Sequence, residues 1–246
     1  VPAVKTLYLA GLDETLKTAK DMGIHSLGEA KTYGLTLVLG GGEVSLLDMT
    51  SAYGVFANEG VRMQPTPVLT VTDKDGKIIE EYKEESVQVI PKNVALQISD
   101  VLSDNNARIP TFGANSPLYF AGRDVAAKTG TTNDNRDAWV MGYTPTIAVG
   151  AWSGNSDNSK MTKGGSAVSG PLWHAFMAEA LKTMPNEQFE EPNQPENYSS
   201  LKPVLRGQWQ GGQSYFIDTV SGGLATEFTP DETKREVVTT GVDDIL

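Results

Sequence analysis

Three short β-patterned runs crowd between residues 125 and 152, and no other stretch restricts the fold as tightly. They cover 125–132, 138–143 and 147–152. β-Branched and aromatic residues mix with small ones in each, and turn residues separate them. Thr144-Pro145 turns the second run into the third, so those two are expected as antiparallel neighbours. The pattern then becomes helical. Ser169-Gly170-Pro171 starts the clearest helix of the chain. In it Leu172, Trp173, Phe176, Met177, Ala180, Leu181 and Met184 recur at helical spacing, and Pro185 stops it. A sheet with a strongly apolar helix behind it is the expected kernel of an α+β domain.

The upstream half supplies further helices. Pro2 suits a first helical position, Val4, Leu7 and Tyr8 share a face, and Gly11 ends the segment. Asp13 is placed to cap a second helix running to Met22 and closed by Gly23. Ser45 and Asp48 form a capping box before Leu47, Met49, Ala52, Tyr53, Val55 and Phe56, a set too apolar for a surface helix. Asp75-Gly76, between the runs 68–71 and 78–79, predicts a two-residue hairpin. Pro91 opens a helix with Val94, Ile98, Val101 and Leu102 as its expected stripe, and residues 103–123 read as loop. Beyond Pro185 the composition shifts to Glu, Asn, Gln, Pro and Ser. The expected organisation is a main domain over 1–185, a linker over 186–203 and a small β-rich module over 204–246. Within that module, runs at 215–218 and 224–226 predict a hairpin around Ser221-Gly222-Gly223.

Composition narrows the function. Apolar residues make up 39% and charged residues 21%, which suits a chain that buries a core. The formal net charge of −11, with no basic patch, argues against a nucleic-acid partner. There are no cysteines, which removes disulfides, thiolate catalysis and Cys-based zinc sites. His25 and His174 are the only histidines, so no His-based metal site is expected; neither metal nor cofactor is. His174 lies among apolar neighbours on the predicted helix and is read as structural. No apolar run reaches the ~20 residues of a membrane helix. The opening at Val1-Pro2, without an initiating Met, is read as that of a fragment.

The chemistry centres on Lys128-Thr129-Gly130-Thr131-Thr132. A Lys-Thr-Gly triplet alone is a weak signal, equally met by an exposed edge strand with a glycine bulge. Its context is specific. The run AAKTGTTNDNRDAWVMGYTPTIAVGAWSGN over 126–155 resembles the class A, bifunctional penicillin-binding proteins. The segments VPAVKTLYLAG, LVLGGGEVSLLDMTSAYGVFANEG, VLSDNNARIPTFGANSPLYF and GGSAVSGPLWHAFM resemble the same family. The resemblance covers roughly residues 1–185, with a weaker extension into the tail.

That resemblance implies the C-terminal part of a penicillin-binding transpeptidase domain, an incomplete form of the fold shared with serine β-lactamases. It also implies a peptidoglycan D,D-transpeptidase that cross-links stem peptides through a serine acyl-enzyme and is stalled by β-lactams. The family is built around Ser-x-x-Lys, Ser-x-Asn and Lys-Thr-Gly elements. Lys128 would then supply positive charge beside the substrate carboxylate and the proton-transfer network. The Thr129 and Thr131 hydroxyls would bind the carboxylate, Gly130 would admit the substrate backbone, and Thr132 would extend the binding strand. The Thr131 N–H would be one oxyanion donor. The resemblance places the nucleophilic serine and the Ser-x-Asn element before Val1. It implies an extracytoplasmic parent with a glycosyltransferase domain, anchored to the membrane only through that preceding part.

Two strings inside the chain imitate the absent elements. Ser103-Asp104-Asn105 spells Ser-x-Asn but closes a predicted helix, and is read as a capping coincidence. Ser199-Ser200-Leu201-Lys202 is the only Ser-x-x-Lys, and Pro203 follows it, against the helix start a nucleophile needs. Arg136 and Asp137 are expected as a solvated charge pair at a strand end. Trp139, Trp152 and Trp173 are expected in packing, and Trp209 as an exposed interaction residue. Two alternatives stay open. One is a D,D-carboxypeptidase or serine β-lactamase relative, with water as acceptor. The other is a fragment that binds peptidoglycan peptides or partners without turnover.

Overall fold

Glycines and caps set the helix boundaries of the N-terminal half. In the computed structural model, which describes residues 2–193, 214–220, 225–226 and 229–238, helix α1 spans Pro2–Ala10 and α2 spans Leu12–Asp21. Gly11 separates them at a φ of 84°, a left-handed value that needs glycine. Asp13 therefore sits in the first turn of α2, favourable to the helix dipole, and does not cap it. Leu7 is buried, whereas Tyr8 faces outward. A short helix α3 (Ala30–Tyr33) runs into a 3-10 turn over Gly34–Leu39.

Helix α4 (Leu46–Ala57) starts as expected: the Ser45 hydroxyl accepts the Asp48 N–H at 3.0 Å. Ser45→Ala should lower unfolding stability by about 1 kcal/mol in urea titration, the usual effect of losing such a cap. Gly60, at a φ of 91°, ends the turn after α4 by donating to the Val55 carbonyl at 2.7 Å.

Four short strands follow as two ribbons: β1 (Val61–Met63), β2 (Thr70–Thr72), β3 (Ile78–Glu81) and β4 (Ser86–Gln88), with β1 paired to β4 and β2 to β3. The β2–β3 turn is longer than the expected two residues. Asp73 and Lys77 close it, Gly76 takes the left-handed position, and the Asp73 carboxylate accepts the Asp75 and Lys77 amides at 2.9 Å. Helix α5 covers Lys92–Ser103 and α6 covers Asn105–Phe112. Two expectations fail here. The buried face of α5 is Ala95, Leu96 and Ser99, with Val94 and Val101 exposed. Small residues face inward because the Tyr143 ring fills the space, its hydroxyl 3.0 Å from the Ser99 hydroxyl. The stretch read as loop contains α6, which Asp104 caps through the Ala107 N–H at 3.0 Å.

The central sheet is β5 (Ala126–Thr131), β6 (Asp137–Thr144) and β7 (Ile147–Gly154), antiparallel throughout in the order β5-β6-β7. Helix α7 (Gly165–Ala180) covers one face. It begins before the predicted Ser169, since Gly165-Ser166-Ala167 continue the helix although they show no apolar stripe. Pro171 thus lies inside it. Trp173, Met177 and Leu181 pack with Leu118, Val125, Ala127, Val140 and Ala151. Two hydrogen bonds lock this seam: Trp173 Nε1–H to the Val149 carbonyl at 3.0 Å, and the Ser169 hydroxyl to the Ala138 carbonyl at 2.7 Å. Gly142 lets the Trp173 ring lie against the sheet, because a Cβ there would collide with the indole and with the Ala126 carbonyl.

Helices α4 and α5 pack toward the sheet on elements of their own. A second core joins Met22, Ala52, Val55, Ile90 and Ala95. Tyr143 bridges to it, with Tyr53, Phe56 and Phe189 around its ring. Burial pushes the Tyr143 phenol well above the ordinary tyrosine range, so it stays a neutral hydrogen-bonding group.

The chain divides into two units, Val1–Asn193 and Gln194–Leu246. In the second, β8 (Ser214–Asp218) pairs antiparallel with β9 (Lys234–Val238). This pairing with a more distant strand was not expected, and the run 224–226 meets β8 as well. Ala225 still donates to the Phe216 carbonyl at 2.7 Å. The proposed turn Ser221-Gly222-Gly223, most of the 186–203 segment and Trp209 lie outside the described residues.

Candidate active-site strand

Strand β5 pairs with β6 on one side only, so among the described residues its other edge carries no strand partner. Alternation divides its side chains between two faces. Ala127 enters the core beneath α7, and Thr131 on the same face meets the start of that helix. A Cβ at Gly165 would come within 2.5 Å of the Thr131 hydroxyl and 3.1 Å of the Gly130 carbonyl. The glycine pair 164–165 thus lets α7 press against the strand end. Lys128 and Gly130 point to the opposite face. Lys128 is exposed, its ammonium donating to the Thr129 carbonyl at 2.6 Å. At Gly130 a side chain would press on Trp139 Cβ at 3.3 Å. The strand therefore stays narrow where it carries its cation.

Thr132 closes the hairpin. Its hydroxyl donates to Asp137 Oδ2 at 2.8 Å and accepts the Asp137 N–H at 2.8 Å. Asp137 Oδ1 accepts the Trp152 indole N–H at 3.0 Å. Asp137 does not form the expected charge pair with Arg136, because neutral donors occupy both its oxygens. Arg136 instead donates to the Asn158 carbonyl and lies 4.0 Å from Asp134, which also pairs with Lys160 at 3.0 Å. Asp134, Asn135 and Asn158 all have left-handed backbones in the two loops beside this strand end. Such conformations concentrate where the surroundings hold a loop in place.

The other candidates lie elsewhere. His174 stacks on Phe120, centroids 4.3 Å apart, with Nδ1 2.8 Å from the Pro117 carbonyl. His25 contacts Arg62 at 3.3 Å. Ser103 ends α5 and Asp104 caps α6, as the capping reading holds. Ser199 lies outside the described residues. Two further Ser-x-Asn strings, at Ser153 and Ser156, escaped the sequence reading. The Ser153 hydroxyl is 3.0 Å from that of Ser169, inside the α7 seam. No group of acidic or histidine side chains among the described residues is placed to hold a metal. No described helix is long and apolar enough to cross a membrane.

An antiparallel sheet with an apolar helix on one face, other helices nearby and a Lys-Thr-Gly edge strand agrees with the family that the sequence segments resemble. The chain belongs to the penicillin-binding protein transpeptidase domain family, whose model matches residues 19–178. Penicillin-binding protein 1A of Aquifex aeolicus is 36% identical over 197 residues, covering 79% of this chain and 26% of that protein. Penicillin-binding protein 2D of Bacillus subtilis is 31% identical over 196 residues, covering 77% of this chain and 28% of that protein. The chain therefore spans about a quarter of the length of these relatives. Among solved structures, PonA1 of Mycobacterium tuberculosis superposes with a TM-score of 0.65 at 28% identity, covering 76% of this chain and 54% of that one. PonA1 has also been solved in complex with penicillin V.

Proposed function

We propose that this chain forms the sheet side of a peptidoglycan D,D-transpeptidase site, with strand β5 as the wall on which the stem peptide lies. The edge of a strand carrying Lys128-Thr129-Gly130-Thr131, without a strand partner among the described residues, carries this reading. An extended peptide ending in D-Ala-D-Ala would add to that edge by backbone hydrogen bonds. Lys128 supplies positive charge, the Thr129 and Thr131 hydroxyls hold the terminal carboxylate, and the Thr131 N–H stabilises the oxyanion. A serine from outside these 246 residues attacks the penultimate carbonyl, giving its proton to a lysine base, and terminal D-Ala leaves with a proton. An amine of a second stem peptide then takes the acyl group. β-Lactams enter as mimics of the donor peptide. The reaction takes place outside the cytoplasmic membrane, in a longer protein that also carries a glycosyltransferase domain.

The test is to incubate the full-length gene product with a peptide ending in D-Ala-D-Ala and an amine acceptor. D-Ala release with acceptor incorporated into the product is expected. Release with hydrolysed product alone would assign a carboxypeptidase, and no release from folded protein would reject the reading.

A further inference from the structure

Asp137 makes more bonds to its surroundings than a solvated strand-end charge would. Its carboxylate accepts from the Thr132 hydroxyl and the Trp152 indole, at 2.8 Å and 3.0 Å. Its backbone N–H donates to the Thr132 hydroxyl at 2.8 Å, and its carbonyl accepts the Thr132 N–H at 3.2 Å. Three of these four bonds end on Thr132, the residue next to Thr131. Between the two partners lie Asp134 and Asn135, both with left-handed backbones. Within the loop the Asn135 N–H donates to the Thr132 carbonyl at 3.1 Å, so the Asp137 bonds add a side-chain hold to a backbone one. Trp152 extends the lock across the sheet to β7, where its ring stands 6.3 Å from that of Trp139.

We propose that Asp137 is a positioning residue: with Trp152 it clamps Thr132 and so fixes the Thr131 N–H and hydroxyl in their working directions. This rests on the reading of Thr131 as an oxyanion and carboxylate ligand. An acyl-transfer site is sensitive to displacements well below 1 Å, and a misplaced donor of this kind typically costs about 10- to 100-fold in rate. The effect should fall on the rate constant of acylation at saturation more than on the apparent affinity.

The experiment measures acylation of the full-length protein by a fluorescent penicillin over a concentration series, which separates those two quantities, with melting curves alongside. Asp137→Ala and Thr132→Val should each slow saturating acylation by about 10-fold or more. The double variant should be no slower than the worse single one, since both remove the same clamp. Trp152→Phe should show a smaller loss, and Thr132→Ser should recover most of the rate lost in Thr132→Val. If Asp137→Ala does not fold, the Thr132 pair carries the test by itself. A labelled wild type with Thr132→Val acylating at the wild-type rate, or with Thr132→Ser as slow as Thr132→Val, overturns the proposal. So do losses that add fully in the double variant. A wild type that takes no label overturns the active-site reading beneath it.

Discussion

Replacing Lys128 by Ala in the full-length protein should slow acylation by penicillin by about 100-fold or more, the scale on which a main electrostatic group acts in acyl transfer. The side chain stands on the exposed face of an edge strand. Its hydrogen bond to the Thr129 carbonyl lies along the strand itself. No ion pair or packing contact of the fold depends on its charge among the described residues, so melting temperature should scarcely change. That separation makes the variant informative: activity falls while the fold stays. Thr131→Ala should lose less, because its backbone N–H survives the substitution. Stopped-flow mixing with a chromogenic β-lactam reads both. A Lys128→Ala variant acylated at the wild-type rate would remove the strand from the site.

Trp173→Ala should destabilise the domain by about 3–5 kcal/mol, as large-to-small changes in a closed core do. The indole is fully buried, wedged over Gly142 and between Leu118, Val140 and Met177. Its N–H is satisfied by the Val149 carbonyl, so truncation also leaves that acceptor short of a partner. Helix α7 is the element that backs β5, and its glycine start touches Thr131. Loss of this seam should therefore reach the site as well as the core. Urea unfolding followed by circular dichroism measures the change, and a loss under 1 kcal/mol would show that α7 is not the keystone of the sheet.

The sheet was legible from sequence because each strand is short, flanked by turn residues and dense in β-formers. The register-setting turn at Thr144-Pro145 left little freedom. Helix α7 was legible from its apolar spacing, but its start was not, since Gly165 and Ser166 earn their place through the close approach to Thr131. Propensity reads such residues as loop. Of the stripe expected on helix α5, Ile98 and Leu102 are half-buried, while Val94 and Val101 face outward. Hydrophobic periodicity favours Val94 and Val101, whereas the core selects Ala95 and Ser99 to make room for Tyr143. Volume complementarity with a residue far along the chain is invisible to a local pattern. The pairing of β8 with β9 was not legible, because the partner lies further along the chain than a local turn signal reaches. In the site, Lys128 to Thr132 could be named because the motif is contiguous. The clamp by Asp137 could not, because the sequence shows it beside Arg136 and its hydrogen bonds go to Thr132 and Trp152.

On the proposed function, these 246 residues hold the binding strand and the nucleophile comes from elsewhere in the protein. Acylation needs a serine, a lysine base beside it and two oxyanion donors. Within this sequence the single Ser-x-x-Lys is followed by Pro203, and Lys128 has no such serine beside it in the motif. Intact-mass spectrometry after incubation with penicillin tests this directly. The 246-residue chain should keep its unmodified mass, and the full-length protein should gain one penicilloyl adduct on a serine outside this segment. A stoichiometric adduct on any serine of this chain, Ser103 and Ser199 included, would place the nucleophile within it.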